Sequence, residues 1–486
     1  MKKRTKILAT IGPASDSLEV IESLIKAGTN VFRLNFSHGT YEYHLDVLNK
    51  IRTASQNTGL VVGVLQDISG PKIRIGELES NFELKENDTI VFHKDTILGK
   101  ATSENRYEVS INYPEILAQL HVDDYIYLYD GIIRTKVLTC SPEKVEVVVQ
   151  NNGTLSSKKG VNFPNTELGV DVLTTKDRKD MVWGVENDVD FMAISFVQNA
   201  DDMIRAREIV DGLGGDQMLI AKIEKFDAIQ NIDEILEASD GLMVARGDLG
   251  IEVPYYEVPN LQKMLIHKAN FAAKPVITAT QMLLSMTSSE RATRAEISDI
   301  ANAVMDGTDA VMLSEESAVG KHPALAVETM FETIRATEKD YAYHRAYKQK
   351  HEDATNAIDE ASVKLAKDLH VDGMLSMTAS GTSARKLSKY RPKSAIYAIT
   401  HDAKVRRQLA LTWGIIPVFC VKDSSFGKTI SDVMKEGLDK NILDLKSTYI
   451  LTAGDPVGEY GSTNTIRLLR KNEMEFFRDL GNSCLI

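Results

Sequence analysis

The chain has 486 residues and a formal charge of −12 at pH 7, with 43% hydrophobic residues. This length predicts about two to four domains, large enough to fold without disulfides or structural metal. The negative charge argues against general nucleic-acid binding, and no apolar stretch approaches the roughly 18 residues of a membrane span. Because Cys140, Cys420 and Cys484 lie far apart and lack metal-ligand spacing, we expect a reducing, cytoplasmic location.

Eight short apolar runs alternate with segments of helical spacing along most of the chain. The runs cover residues 7–10, 31–35, 61–66, 191–196, 219–223, 241–244, 276–280 and 310–313. This alternation is typical of a closed parallel (β/α)₈ TIM barrel, whose catalytic groups lie at the carboxyl ends of its strands. The predicted fold class is therefore α/β, with a barrel as its main domain.

One segment interrupts the alternation. Between about residues 71 and 168, β-type runs at 89–92, 125–129, 132–138 and 145–150 are separated by turn sequences. After the polar stretch 339–353, strand-like runs at 373–377, 395–399, 416–421 and 449–452 follow among helices. We therefore expect a catalytic barrel from 1–70 and 169–345, an inserted small β-barrel lid from 71–168, and a C-terminal α/β effector-binding domain from 354–486.

Charged residues at two successive strand ends indicate a candidate catalytic site. Lys222 and Glu224 are two apart on a strand and therefore point to the same side. An ammonium can neutralise a transferring phosphoryl group, and Glu224 with Asp248 can hold Mg²⁺ or Mn²⁺. Gly247 would allow a ligand to approach the backbone closely. The alternatives are a surface ion pair for Lys222 and Glu224, and a turn or helix cap for Asp248.

Other strand ends add a cation, an amide and a hydroxyl. Arg33 and Asn35 share a face after the second run, and a guanidinium suits phosphate oxygens. Thr280 ends the seventh run, where its hydroxyl can pass a proton through water or cap a helix. His38 is equally compatible with a base and with a structural hydrogen bond, so no proton transfer is assigned to it.

Two segments carry cations towards the predicted lid. Arg74 lies at the hinge that follows Asp67, the end of the third strand. The loop 157–160, which contains Lys159, can close over nucleotide phosphates or be an ordinary solvated turn. No GxxxxGK[S/T] or GxGxxG sequence is evident, so charges and metal ions must hold any phosphates.

Several long motifs occur in a characteristic order. They are 5–15 (TKILATIGPAS), 33–39 (RLNFSHG), 222–224 (KIE), 244–250 (VARGDLG), 279–282 (ATQM), 293–296 (TRAE) and 299–303 (DIANA). Taken together, they closely resemble the pyruvate kinase family, from residue 5 to about residue 470. The resemblance implies transfer of a phosphoryl group from phosphoenolpyruvate to ADP, giving pyruvate and ATP in glycolysis.

The resemblance also implies roles for the candidate residues. It implies that Glu224 and Asp248 hold Mg²⁺ (or Mn²⁺). The catalytic residues would be Lys222, Arg33 and Thr280, and the substrate-binding residues Arg33, Lys222, Gly247, Asp248 and Thr280. The nucleotide-binding residues would be Asn35, His38, Arg74 and Lys159.

One departure from the family's pattern concerns the monovalent cation. Many members need K⁺ near Asn, Ser, Asp and Thr ligands and carry an acidic residue in the hinge. In this chain Asn35, Ser37 and Asp67 remain, whereas Ile68 replaces the threonine and Lys72 replaces the acidic residue. We expect the Lys72 ammonium to supply the missing charge at a vestigial cation site, so that K⁺ is not required.

A loop in the trailing domain suits a phosphorylated ligand. Hydroxyls, backbone N–H groups and a helix N-terminus occur together at Thr378, Ser380, Gly381, Thr382 and Ser383. In the family this loop binds phosphorylated effectors beside a partner loop, here 453–463, which implies allosteric activation and a homotetramer. The alternative is a simple helix cap.

Two rival functions are also compatible with the sequence. One is a metal-dependent lyase or aldolase acting on a pyruvate-like enolate, which would not need Lys159. The other is a catalytically silent sensor of phosphorylated metabolites.

Overall fold

The computed structural model describes residues 3–164, 166, 170–347, 354–422, 425–455 and 463–480. The chain begins with β1 (Lys6–Thr10), α1 (Leu18–Ala27), β2 (Val31–Asn35), α2 (Tyr41–Thr58) and β3 (Gly63–Asp67). Helix α1 starts where the Ser17 side chain accepts the N–H of Val20, and it ends at Gly28, whose φ of 123° disfavours other residues. Caps of this kind set where each helix gives way to the next strand.

The segment after β3 forms a separate β-structure. Its strands are β4 (Phe82–Leu84), β5 (Thr89–His93), β6 (Lys100–Ser103), β7 (Arg106–Ser110), β8 (Tyr125–Leu128), β9 (Ile133–Cys140), β10 (Lys144–Val149), β11 (Gly153–Leu155) and β12 (Val161–Asn162), with a 3₁₀ helix at Pro114–Gln119. One sheet has the order β12-β8-β9-β10-β5-β7-β6, and β11 pairs with β4. Alternate residues of these strands fill a hydrophobic cluster distinct from the barrel core.

Regular alternation resumes after this insertion. The elements are α3 (Thr175–Glu186), β13 (Phe191–Ile194), α4 (Ala200–Gly212), β14 (Met218–Ile223), α5 (Phe226–Gln230), α6 (Ile232–Ala238), β15 (Gly241–Ala245), α7 (Arg246–Glu252), α8 (Val258–Phe271), β16 (Val276–Ala279), α9 (Arg294–Asp306), β17 (Ala310–Leu313), α10 (Glu315–Ala318) and α11 (Pro323–Thr337), with a 3₁₀ helix at Leu284–Thr287. Described strands close into a parallel barrel in the order β1-β17-β16-β15-β14-β13-β3-β2. Each apolar run predicted for the barrel forms one of these strands, so the predicted barrel is confirmed.

The remaining elements form a second α/β unit. They are α12 (Ala354–Asp368), β18 (Gly373–Met377), α13 (Thr382–Lys389), β19 (Ala395–Thr400), α14 (Ala403–Gln408), β20 (Ile415–Cys420), α15 (Phe426–Asp439), β21 (Tyr449–Ala453), β22 (Thr465–Leu469) and α16 (Lys471–Leu480), with a 3₁₀ helix at Leu409–Leu411. The sheet order is β20-β19-β18-β21-β22, and β22 runs antiparallel to β21. The sequence did not predict β22, because five residues interrupted by Arg467 carry too little periodicity.

Ion pairs to buried carboxylates join this unit to the barrel. Arg391 precedes β19 and contacts Asp309, which precedes β17, at 3.0 Å, and both side chains are at most 3% exposed. Arg407 of α14 likewise contacts Asp190, just before β13, at 2.6 Å. The second unit is therefore fixed to the amino-terminal end of the barrel, opposite the rim that carries the candidate site. In the described part of the chain, no helix combines the length and apolar character required to cross a membrane.

Candidate active site

A buried carboxylate joins two cations at the barrel mouth. Asp67, at the end of β3, accepts a hydrogen bond from Arg33 Nε at 2.6 Å and lies 3.2 Å from Lys222 Nζ. Arg33 also donates from Nη1 to Thr10 Oγ1 at 3.1 Å. Burial raises the pKa of Asp67, but Lys222 and Arg33 outweigh this effect and hold the pKa below its ordinary value. Asp67 is therefore an anionic anchor shared by both cations.

The Lys222 ammonium has three protein partners. It lies 3.2 Å from Asp67 Oδ1 and 2.8 Å from Glu224 Oε1, and it donates to Ser195 Oγ at 2.7 Å. Burial disfavours its charge, but the carboxylates of Asp67 and Glu224 more than compensate and raise the pKa of Lys222 above its ordinary value. Lys222 is thus a permanent positive charge near neutral pH.

The two predicted metal ligands line the same cavity. Glu224 is buried and accepts the N–H of Phe196 at Oε2, 2.8 Å away. Asp248 lies in the first turn of α7 rather than at a strand end, because β15 stops at Ala245. Burial raises the pKa of Asp248, and the negative charge of Glu224 raises it further. The two carboxylates are therefore close enough to repel each other, a repulsion that a cation would relieve.

Thr280 occupies a strained turn after β16. Its φ of 71° is unusual for a β-branched residue. The Gly247 N–H donates to Thr280 Oγ1 at 2.8 Å, and that hydroxyl lies 2.6 Å from the carbonyl oxygen of Ala279. Arg246 Nη2 donates to the Thr280 carbonyl at 2.7 Å. These contacts tie Thr280 to the start of α7, and hence to Asp248.

The loop after β2 is shaped by an aromatic stack. The Ser37 N–H donates to Asn35 Oδ1 at 3.2 Å, and His38 is exposed. The ring of Phe36 stacks on His44 with centroids 4.1 Å apart, and His44 Nε2 donates to the His38 carbonyl at 2.8 Å. Burial lowers the pKa of His44, so the ring is neutral with its proton on Nε2. His44 and Phe36 therefore hold the loop that carries Asn35 and Ser37.

The predicted lid residues meet across the hinge. Arg74 Nη1 donates to the Lys158 carbonyl at 3.1 Å, and Arg74 forms an isolated β-bridge with Gly160. The Lys159 ammonium lies 3.9 Å from the centroid of the Tyr129 ring. The hinge and the basic loop therefore form one continuous basic surface.

Lys72 lies between this surface and the barrel mouth. It is half-buried and makes no ion pair with any described residue. Burial and the positive charge of Lys222 lower the pKa of Lys72, while Asp67 and Asp248 act in the opposite direction. The Lys72 charge therefore acts on the same carboxylates as the cations of the barrel mouth.

Two cavities meet at the mouth of the barrel. One, of about 420 Å³, lies between hinge and lid loop and is lined by Lys72, Arg74 and Lys159 among others. The other, of about 390 Å³, is lined by most residues predicted for the barrel site, including Arg33, Asn35, His38, Asp67, Lys222, Glu224 and Thr280. Asp248 lines both cavities. Two ligands bound in these spaces would therefore meet near Asp248.

The predicted effector residues lie far along the chain, around the start of α13. Gly381 has a φ of 83° at the helix start, and Ser380 Oγ lies 2.9 Å from Thr382 Oγ1. Ser383 Oγ lies 2.9 Å from Thr463 Oγ1, so the two predicted loops touch. Thr378, in contrast, is buried directly after β18. Residues 456–462 of the predicted partner loop, including Glu459, lie outside the described residues.

Three residues of the site were missed by the sequence analysis. They are Thr10, which accepts from Arg33; Ser195, which accepts from Lys222; and Arg246, which holds Thr280. Each is a polar residue within or directly after an apolar run, which is the same signal that identified Lys222 and Asp67. Their side chains form hydrogen bonds with other site residues from distant segments, and these contacts exist only once the barrel has closed.

Comparisons with known proteins agree with this arrangement. The family "Pyruvate kinase, barrel domain" matches residues 2–327, and the family "Pyruvate kinase, alpha/beta domain" matches residues 356–469. The pyruvate kinase of Geobacillus stearothermophilus is 42% identical over 480 residues, which are 96% of this chain and 80% of that protein. The pyruvate kinase of Lactobacillus delbrueckii subsp. bulgaricus is 40% identical over 476 residues, with the same two shares.

Similarity extends to a solved structure. The crystal structure of a pyruvate kinase from Cryptosporidium parvum matches with a TM-score of 0.89 at 33% identity, covering 96% of both chains. Family matches over most of the chain, relatives at 40% identity or more and a near-complete structural match all agree. The chain therefore belongs to the pyruvate kinase family and is a phosphotransferase.

Proposed function

We propose that the chain transfers the phosphoryl group of phosphoenolpyruvate to ADP, giving pyruvate and ATP in cytoplasmic glycolysis. The observation that carries the proposal is the meeting of Arg33 and Lys222 with Glu224 and Asp248 where two cavities join. Phosphoryl transfer depends on positioning and charge neutralisation more than on covalent chemistry by the protein. Fixed cations and paired carboxylates between two ligand-sized spaces suit that task.

Glu224 and Asp248 are the proposed ligands of Mg²⁺ or Mn²⁺. Both offer hard oxygen donors. Burial raises the pKa of Asp248 and the negative charge of Glu224 raises it further, so a dication would stabilise both ionised carboxylates. No cluster of three or more His, Cys, Asp and Glu suited to a metal occurs in the described ranges, so such an ion would retain positions for water and substrate oxygens. When bound, the ion would polarise the carboxylate and enolate oxygens of the substrate.

Side chains around the metal ligands would handle the substrate. Arg33 and Lys222 would bind the phosphoryl oxygens from two sides while the group moves, and the backbone at Gly247 would accept a close approach of the substrate carboxylate. The Thr280 hydroxyl would relay a proton to the enolate carbon through ordered water. The Gly247 N–H donates to that hydroxyl at 2.8 Å, which supports this role because the substrate carboxylate would lie near Gly247.

The nucleotide would occupy the cavity under the lid. Arg74 and Lys159 line that space and would contact the phosphates of ADP, with Asn35 and His38 contributing from the barrel rim. Because Asp248 borders both cavities, the terminal phosphate of ADP would face the phosphoryl donor. The roles of these four residues depend on the lid closing over the nucleotide.

A coupled assay for pyruvate formation tests the proposal. The unmodified protein should form pyruvate from phosphoenolpyruvate only with ADP and a divalent cation, and Lys222→Met should lower kcat about 100-fold or more. The exposed lysine variant Lys364→Met, which loses only a surface pair with Asp368, is the control. Pyruvate formation without ADP would favour a lyase or aldolase, and absence of turnover would favour a silent sensor.

We further propose that turnover does not require K⁺. Lys72 has a half-buried ammonium whose charge acts on Asp67 and Asp248, which supports its replacing a monovalent cation near Asn35 and Ser37. In K⁺-free buffer with Mg²⁺, wild-type activity should equal that with K⁺, whereas Lys72→Glu should need K⁺. Negligible wild-type activity that rises steeply with K⁺ would refute this proposal.

Allosteric activation by a phosphorylated metabolite is proposed for the α13 loop. The hydroxyls of Ser380, Thr382 and Ser383 and the left-handed Gly381 support phosphate binding there. Saturation curves for phosphoenolpyruvate should shift with at least one member of a panel of sugar phosphates and nucleotides, and Thr382→Val should abolish the shift. Light scattering should report the proposed homotetramer. Identical curves with every compound would refute activation.

A further inference from the structure

The Lys222 ammonium is held by a residue without an assigned role in the site. Ser195 follows β13 and is 1% exposed. Its Oγ accepts a hydrogen bond from Lys222 Nζ at 2.7 Å and donates one to the Ile68 carbonyl at 2.7 Å. An ammonium can only donate and a carbonyl oxygen can only accept, so the direction of both bonds is set; Asp67 Oδ1 lies farther from Ser195 Oγ, at 3.5 Å. The result is a chain from Lys222 through Ser195 to Ile68.

The next residue, Phe196, contacts Glu224, the ion-pair partner of Lys222. The Phe196 N–H donates to Glu224 Oε2 at 2.8 Å, and Phe196 has a φ of 59°, a left-handed conformation that bulky residues rarely adopt. A strained backbone at such a position is held by its surroundings. The dipeptide Ser195–Phe196 therefore contacts both charged residues, one through a side chain and the other through the backbone.

The hinge to the inserted domain packs directly on this dipeptide. A Cβ added at Gly70 would come within 2.7 Å of the Phe196 ring and 3.0 Å of Ser195 Cβ. Ile68, which accepts the Ser195 hydroxyl, lies two residues earlier in the same hinge. Ser195 thus connects the position of the hinge to that of Lys222.

We propose that Ser195 is a positioning residue that keeps the Lys222 ammonium directed at the phosphoryl group. The inference rests on the proposed function of Lys222. The ammonium lies 3.2 Å from the carboxylate of Asp67 and 2.8 Å from that of Glu224, and it donates to the neutral Ser195 hydroxyl at 2.7 Å. Without that hydroxyl the ammonium would move towards the carboxylates, which compete with phosphoryl oxygens for it. A displacement of about 1 Å in a catalytic site can cost on the order of 100-fold in rate.

Steady-state kinetics of Ser195→Ala tests the proposal. We expect kcat to fall about 10- to 100-fold, as for the loss of one hydrogen bond to a charged group, while KM for ADP changes less than about twofold. Ser195→Thr, which retains a hydroxyl, should recover most of the rate. The control is Ser239→Ala: Ser239 is also buried and donates to a backbone carbonyl, that of Ile235, at 2.6 Å, away from the site.

A double-mutant cycle separates positioning from a general structural role. In a Lys222→Met background, assayed at high enzyme concentration, Ser195→Ala should change the residual rate less than about twofold. If the fold-losses in kcat of the two single variants multiplied in the double variant, the inference would be overturned, because Ser195 would then act independently of Lys222. A wild-type rate for Ser195→Ala beside an inactive Lys222→Met would overturn it and leave the proposed function intact. Full activity of Lys222→Met would refute the role of Lys222 and the inference together.

Discussion

Replacing Asp67 with asparagine tests how the site holds its two cations. The substitution keeps the shape of the side chain but removes the charge that meets Arg33 at 2.6 Å and Lys222 at 3.2 Å. Removing one partner of a buried ion pair costs about 3–5 kcal/mol. Because the amide oxygen can still accept one hydrogen bond, we expect the lower end, about 3 kcal/mol. With both cations displaced, kcat should fall about 100-fold or more.

The pKa of Asp67 determines how the loss of stability in Asp67→Asn depends on pH. The folded-state pKa of Asp67 lies below its ordinary value, so its stabilising contribution is complete above the unfolded value of about 3.9 and disappears as pH falls through the folded value. The difference in free energy of unfolding between wild type and Asp67→Asn should therefore stay constant between about pH 5 and 8.

Urea unfolding followed by circular dichroism measures that difference. The control is Asp368→Asn, because Asp368 is 54% exposed and pairs with Lys364 at 2.6 Å, so its loss should change the free energy of unfolding far less than the loss of Asp67. If Asp67→Asn were no more destabilised than this control, or kept the wild-type kcat, Asp67 would not be the anchor of the two cations.

Three further substitutions address other parts of the molecule. His44→Phe keeps the stack on Phe36 but removes the hydrogen bond that His44 Nε2 donates to the His38 carbonyl. In steady-state assays KM for ADP should therefore rise about fivefold, with KM for phosphoenolpyruvate unchanged. An unchanged KM for ADP would contradict the role of His44 in holding the loop. Arg391→Met leaves the buried Asp309 carboxylate without its ion-pair partner, although the Trp413 N–H still donates to it, and should cost about 3 kcal/mol in urea unfolding. Arg391→Met/Asp309→Leu should restore part of this loss, and a cost no larger than that of a surface ion pair would contradict the role of Arg391 at the junction. Lys159→Ala should raise KM for ADP about tenfold, because Lys159 lines the cavity proposed for the nucleotide. An equal rise in KM for phosphoenolpyruvate would contradict a specific contact between Lys159 and ADP.

The sequence alone determined the barrel, the two additional units and most residues at the barrel mouth. Apolar runs that alternate with helical spacing are encoded within windows of a few residues, so each strand was identifiable without knowing its neighbours. The side shared by Lys222 and Glu224 is equally local, because a strand repeats every two residues. Asp67 and Arg33 were recognisable because polar groups at the carboxyl ends of parallel strands meet at one rim.

Only the tertiary structure decided which of these groups touch. Ser195 and Lys222 are 27 residues apart, and their contact depends on the register between β13 and β14. Asp248 lies on α7 because the chain turns into a helix at Arg246, directly after β15 ends at Ala245. Strand β22 exists through its pairing with β21. Closure of the barrel and docking of the second unit create these contacts between distant segments, and no local window of sequence contains both partners.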